Sequence, residues 1–150
     1  MQDKSRPIAI AIAADHAGFQ LKADLSVYLK AQGYEVLDLG THSEERVDYP
    51  GYGYKLGEAI ASCRAFRAIG ICGSGVGISI AMNREPAMRA ALCQDAEVAK
   101  LARLHNDANG LALGARIISK ETAIACLQAF LDMDFEGGRH EARVRQLGEC

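Results

Sequence analysis

The 150-residue chain is 49% hydrophobic and carries 17 Lys and Arg against 19 Asp and Glu, a net charge of −2. A chain of that length builds one domain with a sizeable core, so residues 1–150 are expected to form a single domain. The charge balance leaves no basic field to gather nucleic acid or an anionic membrane, and the expected partners are small molecules or another protein chain.

In chain order, residues 1–7 are polar and lead into only a short apolar run, so neither a signal peptide nor a membrane anchor is expected. Residues 8–14 alternate isoleucine with alanine, apolar throughout, as in a strand covered on both faces. Asp15 and His16 end it. Gly18 opens a segment with Leu21, Leu25, Tyr28 and Leu29 at helical spacing, closed by Gly33. Residues 35–39 read as a second strand, and residues 40–53, with charges, Pro50 and several glycines, read as a loop containing Asp48 and Tyr49. Tyr52, Leu56, Ile60 and Cys63 restore helical spacing before a third strand, residues 68–72. A short helix to about Asn83, a strand over residues 88–93 and a helix over residues 95–104 follow, the last with Val98, Leu101 and Ala102 expected to face inward. His105 and Asn106 fall in the Asn/Asp-rich turn after it. Residues 111–114 form a fifth strand ending at Ala115 and Arg116, residues 120–131 a long helix, and the tail from Phe135 a short polar helix to about Leu147.

Five apolar strands alternating with helices predict an α/β, three-layer, Rossmann-like fold: a five-stranded parallel sheet with helices on both faces. Ligands of such sheets bind beyond the carboxyl ends of the strands, where Asp15, His16, Asp48, Tyr49, Cys72 and Ser74 all fall. Five cysteines, Cys63, Cys72, Cys93, Cys126 and Cys150, lack C-x-x-C spacing, which speaks against a disulfide framework and a zinc site and for a reducing cytoplasm.

The chemistry concentrates in Cys72-Gly73-Ser74-Gly75-Val76-Gly77. Three glycines in five residues remove every Cβ that would keep a ligand from the backbone, and they stand before a helix, where N–H groups favour an anion. The spacing is not the dinucleotide fingerprint, a P-loop or a nucleophile elbow. The positive end of the helix dipole favours a Cys72 thiolate, a base or nucleophile. Ser74 could pass protons between neighbouring oxygens, and the loop N–H groups suit the charge of an enediolate. Carbon-acid chemistry on an anionic substrate fits best, with acyl transfer or simple anion binding as rivals, and no metal cluster is visible. An inert cysteine beside a strand-to-helix turn would leave the same glycine pattern. His105 reads as an exposed acid or base, or as an ordinary helix-ending histidine. Arg139 and Arg143, four apart on the tail helix, together with Arg116 could clamp a phosphate, or could pair in solvent with Glu136 and Glu141. Asp15 could be only an N-cap, and His16 a local hydrogen-bond donor.

Taken together, the chain resembles the type B ribose-5-phosphate isomerases, in the family that includes the galactose-6-phosphate isomerase subunits. The resemblance rests on Asp15-His16-Ala17-Gly18, Asp48-Tyr49-Pro50, Ile71-Cys72-Gly73-Ser74-Gly75-Val76-Gly77-Ile78-Ser79, His105-Asn106-Asp107, and Gly137-Gly138-Arg139-His140 with Arg143. It implies an aldose–ketose isomerase working through a cis-enediolate with no metal or cofactor. Cys72 is similar in place to the base that moves the proton between C2 and C1, Ser74 relays protons on the oxygens, and Gly73, Gly75, Val76 and Gly77 hold the enediolate. His105 corresponds to the ring-opening residue. Asp15, Tyr49 and Asn106 would bind sugar hydroxyls, with Asp48 beside them, and His16, Arg116, Arg139 and Arg143 the phosphate. Family members are dimers or tetramers with a site completed by a neighbouring subunit, so a homodimer or homotetramer with residues acting in trans is expected. The chain has Ser74 where many relatives have threonine, and Met82 where a smaller residue is common, which would trim the pocket. Relatives acting on four-carbon sugar phosphates often lack the His-Asn-Asp stretch or the Asp-His pair; this chain resembles those with both, which favours ribose 5-phosphate and leaves a six-carbon sugar phosphate, such as allose or galactose 6-phosphate, as the alternative. A non-catalytic phosphate-binding module of flavodoxin-like architecture is the rival from another class.

Overall fold

The structure, a computed structural model, describes residues 9–148; the N-terminal residues 1–7, Ile8 of the expected first strand, and Cys150 lie outside the described residues. The strands are β1 (Ala9–Ala14), β2 (Glu35–Asp38), β3 (Arg67–Cys72), β4 (Ala90–Leu92) and β5 (Gly110–Gly114). The helices are α1 (Phe19–Ala31), α2 (Tyr49–Ala61), α3 (Val76–Met82), α4 (Ala96–Asn106), α5 (Lys120–Asp132) and α6 (Glu141–Gly148). All strand pairs are parallel, in the order β2-β1-β3-β5-β4. The α/β sheet read from the sequence is therefore present.

The alternation along the strands makes the sheet's two faces unequal. Ile10 and Ile12 of β1, Ile69 and Ile71 of β3, and Leu111 and Leu113 of β5 point to one face, where Leu25 and Leu29 of α1, Ala99 and Ala102 of α4, and Cys126, Leu127 and Phe130 of α5 pack on them. The opposite face shows Ala11, Ala13, Ala68, Cys72 and Ala112, met by Leu56 and Ala59 of α2 and Ile78 and Met82 of α3. Large residues thus hold the three-helix layer, and small ones admit α2 and α3 at close range. Gly53 of α2 carries this close packing further, because a Cβ there would lie 2.5 Å from the Ala81 Cβ of α3.

Four sequence expectations change for identifiable reasons. The loop expected over residues 40–53 ends earlier: α2 begins at Tyr49, with Pro50 in its first turn, where its missing N–H costs nothing. Of the glycines that read as loop, Gly53 is helical where packing against α3 needs a residue without a side chain. On α4, Ala102 is buried as expected, but Val98 and Leu101 are exposed rather than inward, and Ala99 and Arg103 are buried in their place. The strand expected over residues 88–93 shrinks to three residues at the sheet edge. Met82 does not trim a pocket; it is fully buried, filling the space over Gly70, where a Cβ would lie 2.6 Å from its sulfur.

Two buried cations had no signature in the hydrophobic spacing. Arg103 donates to the Ala108 carbonyl at 2.6 Å, the Asp107 carboxylate at 2.8 Å and the Met133 carbonyl at 3.1 Å, tying the end of α4 to the segment after α5. Lys22 of α1 places its ammonium 2.6 Å from both oxygens of Asp38 at the end of β2. Burial pushes the Asp38 carboxyl up, but Lys22 and the Gly40 N–H outweigh it and hold it below the usual carboxylate range. A carboxylate lowered on folding stabilises above its unfolded value of about 4 and loses that contribution as pH falls through the folded value. Asp38→Asn should therefore cost about 1–2 kcal/mol at neutral pH, water screening the half-open carboxylate while Lys22 is left buried without its counter-ion. Urea unfolding across pH checks this: the gap between variant and wild type should close below about pH 4, and a gap independent of pH would refute the pairing.

Candidate active site

The site forms where β1 and β3, neighbours in the sheet, end side by side and their connections leave for opposite layers, the crevice such sheets use for ligands. Cys72 closes β3 on the small-residue face and is 3% exposed. The chain then turns through Gly75, whose φ of +80° is left-handed. This turn brings the Gly75 N–H back to donate to Cys72 Sγ at 3.2 Å. Val76 N–H donates to Ser74 Oγ at 3.2 Å, leaving the exposed hydroxyl's own proton free to donate. Among the described residues, the N–H groups of Gly73, Ser74 and Gly77 have no protein acceptor. They are the donors available to an anion in the loop.

Around the loop the expected residues assemble in part. Asp15, 7% exposed, caps the 3-10 turn His16–Gly18, its Oδ1 accepting from Ala17 N–H at 3.0 Å and Gly18 N–H at 3.2 Å. The capping role is therefore real, while Oδ2 makes no hydrogen bond with a described residue. His16 Nδ1 lies 3.2 Å from both the N–H and the carbonyl of Val47. Where the N–H donates, the ring proton sits on Nε2, a donor for an anion. Tyr49, in the first turn of α2, lies over Gly77 so closely that a Cβ on Gly77 would come within 2.4 Å of its ring. Asp48, exposed, precedes α2 without a side-chain cap bond. From β5, Arg116 reaches back to the loop: its N–H donates to the Gly73 carbonyl at 3.0 Å, and its guanidinium lies 3.4 Å from where a Gly73 Cβ would be.

The remaining expected residues are elsewhere. His105 and Asn106 form the last turn of α4 rather than a loop, just before β5 begins at Gly110, whereas Cys72 pairs with Gly114 at the other end of that strand. The two groups are separated by about the length of a strand, roughly 13 Å. Arg139 and Arg143 lie with His105: Glu136 N–H donates to the Leu104 carbonyl, and the His105 and His140 rings stack with centroids 4.4 Å apart. Arg139 and Glu136 make the expected local pair at 3.4 Å. Desolvation, then the neighbouring Arg139 and His105, hold the His140 imidazole below its ordinary pKa. The expected site residues thus fall into two groups: Asp15, His16, Asp48, Tyr49, Cys72, Ser74 and Arg116 at the carboxyl ends of the strands, and His105, Asn106, Arg139 and Arg143 at the opposite end.

Four of the five cysteines are described and all are free thiols. Burial, with the neighbouring Cys126, pushes the Cys93 thiol up to about 12, and burial also raises Cys126, so both stay protonated core residues. Of the buried cysteines, only Cys72 stands at the glycine loop. Among the described residues, no helix is long and apolar enough to cross a membrane.

A parallel sheet with a thiol and an N–H-lined glycine turn at its switch point defines an α/β protein whose strand-end crevice is suited to a small anionic ligand. Residues 10–147 match the model of the ribose/galactose isomerase family. The chain is similar to ribose-5-phosphate isomerase B of Escherichia coli K12, 44% identical over 138 residues that make up 92% of this chain and 93% of that protein. Its fold is similar to that of Clostridium thermocellum ribose-5-phosphate isomerase B, with a TM-score of 0.92, 47% identity and coverage of 93% of this chain and 95% of the other. It is also similar to the Mycoplasma genitalium ribose-5-phosphate isomerase B with bound ribulose 5-phosphate, at a TM-score of 0.88, 35% identity and coverage of 93% of each chain. The chain belongs to the ribose/galactose isomerase family.

The glycines of the loop should respond differently to a methyl group. At Gly75 a Cβ would meet the Leu113 and Gly114 backbone at 2.8 and 2.9 Å with φ already left-handed, so Gly75→Ala should cost about 2–3 kcal/mol in urea unfolding. Gly77→Ala should cost less than about 1 kcal/mol, because the Tyr49 ring, 39% exposed, can swing into solvent. Equal losses at the two positions would contradict this reading.

Proposed function

We propose that the chain, acting as one domain per subunit, is a metal-independent isomerase interconverting ribose 5-phosphate and ribulose 5-phosphate through a cis-enediolate. The observation that carries this reading is the Cys72 sulfur held by the Gly75 N–H beside a turn whose Gly73, Ser74 and Gly77 N–H groups have no protein acceptor. The names of the relatives, and the ribulose 5-phosphate bound to one of them, support the substrate.

In this mechanism His105 opens the furanose by taking the proton of the C1 hydroxyl and passing it to the ring oxygen as that oxygen's bond to C1 breaks and the C1 carbonyl forms. The Cys72 thiolate then removes the C2 proton, and the electron pair moves toward O1. The loop N–H groups stabilise the resulting enediolate charge, in a place where they cost no reorganisation. Ser74 Oγ carries a proton between O2 and O1, and the Cys72 thiol returns its proton to C1. Tyr49, Asp48, Asn106 and the free oxygen of Asp15 orient the hydroxyls, and His16, Arg116, Arg139 and Arg143 neutralise the phosphate.

Because those residues sit at opposite ends of the sheet, the mechanism requires two chains. A twofold pair in which the strand-end half-site of each subunit meets the α4 end of the other makes two equal composite sites from one interface. The exposed apolar residues support such a pair. Val98 and Leu101 are exposed on α4 at spacings that put them on the His105 face, and Val76 and Ile80 are exposed together on α3 beside the glycine loop.

Two measurements test this. With EDTA present, Cys72→Ala should lose about 10²–10⁴-fold in ketose formation from ribose 5-phosphate while its circular dichroism is unchanged; allose 6-phosphate run in parallel tests the pentose assignment, and activity surviving in the variant would remove Cys72 as the base. Second, Cys72→Ala and His105→Asn subunits, each inactive alone, should on equal mixing and exchange regain about a quarter of wild-type activity, since half the dimers are mixed and each holds one intact site. No recovery after demonstrated exchange would place each site within one chain.

A further inference from the structure

The sequence shows no metal cluster, but the fold makes one candidate. His105 ends α4, Glu136 follows α5, and His140 closes the 3-10 turn before α6. The tail brings them together, and one donor atom from each lies within 4.8 Å of the other two. A second observation also points to a ligand: His140 is 7% exposed, and its Nε2 is the only buried side-chain polar atom among the described residues with no hydrogen-bond partner. Such groups are rare in a folded protein and call for an explanation.

We propose that His105, Glu136 and His140 bind one divalent first-row transition ion of the zinc class, and that an ion held there withdraws His105 from catalysis. Two imidazoles and a carboxylate suit that class, whereas magnesium and calcium take oxygen donors. Three protein donors leave a fourth position for water, the count of an exchangeable site rather than a closed structural one. Zinc bonds of about 2.0–2.1 Å need donors roughly 3.4 Å apart, so the group must draw in. It has freedom to do so, because the His105 and Glu136 side chains are 35% and 45% exposed. The ion displaces two long ion pairs, Glu136 at 3.9 Å from His105 and 3.4 Å from Arg139, and it must open the stack of the His105 and His140 rings, centroids 4.4 Å apart, because stacked imidazoles hold their lone pairs in parallel planes; His105, the more exposed ring, is the one that turns. The binding half of the proposal stands on this geometry alone; the inhibitory half rests on the role assigned to His105 above.

The test uses chelator-treated full-length protein carrying Cys63→Ser, which removes an exposed thiol as a competing ligand. Calorimetry with Zn²⁺ and visible absorption with Co²⁺ should give one ion per chain and ligand-field bands without thiolate charge transfer. Glu136→Gln and His140→Asn should each weaken binding by at least about tenfold, the loss typical of even an outer-shell partner. Glu136 is on the surface, so its variant reports even if His140→Asn fails to fold. No saturable binding, or binding unchanged by Glu136→Gln, would overturn the site. With substrate, Zn²⁺ should suppress turnover in the parent and not in Glu136→Gln at the same concentration. Stoichiometric binding that leaves turnover untouched would overturn the inhibitory half and count against His105. A protein inactive without metal but binding one ion through these residues would support the site while refuting the proposed activity.

Discussion

The inequality of the sheet's two faces is the constraint on which the rest depends. On β1, β3 and β5 the large residues point to the layer of α1, α4 and α5, and the small ones to α2 and α3. The small face is where Cys72 projects, and it lets two short connections approach the strand ends. With Leu or Ile in place of Ala11, Ala13 or Ala68, α2 would be lifted away and Tyr49 would no longer lie over Gly77. The core packing and the position of the Cys72 thiol are thus set by one alternation along three strands.

The same alternation explains which glycines matter and why. Gly53 lets α2 touch α3, and Gly77 makes room for the Tyr49 ring. Gly75 does something else: its left-handed backbone turns an N–H toward the Cys72 sulfur. Dense glycine in this chain therefore reports contact between elements as often as it reports turns. This is why the segment before Gly53 reads as a loop but begins a helix.

Much of the fold was legible because it depends on local period and composition. The apolar strands and the amphipathic α1 and α5 announce themselves, and the glycine loop lies between β3 and α3 as its spacing indicates. What was not legible depends on tertiary contacts. Val98 and Leu101 satisfy helical periodicity yet face out, because Ala99, Ala102 and Arg103 occupy the buried stripe of α4. Arg103 is buried where no hydrophobic pattern would place a cation, and its reason is the set of carbonyls at the end of its own helix and before the tail. The half-site containing Asp15, Cys72 and Ser74 could be found from strand ends. The grouping of His105 with Glu136 and His140 could not, since it depends on where the tail returns after α5.

A parallel sheet also explains why the residues proposed to act together lie at two poles of a small domain. Every strand ends at the same edge, so the loops that follow β1, β3 and β5 crowd together, while each helix returning to the next strand ends at the opposite edge. Residues such as His105, on the last turn of a returning helix, are excluded by topology from the crevice that holds Cys72. A longer insertion could bridge the gap; here the long connection after β2, residues 39–48, folds back to bring Val47 to His16 instead. Association of two copies in opposite directions is the economical geometry for joining the poles, because one self-complementary surface then completes both sites. The exposed apolar positions on α3 and α4, beside the two poles, are where such a surface would bury them.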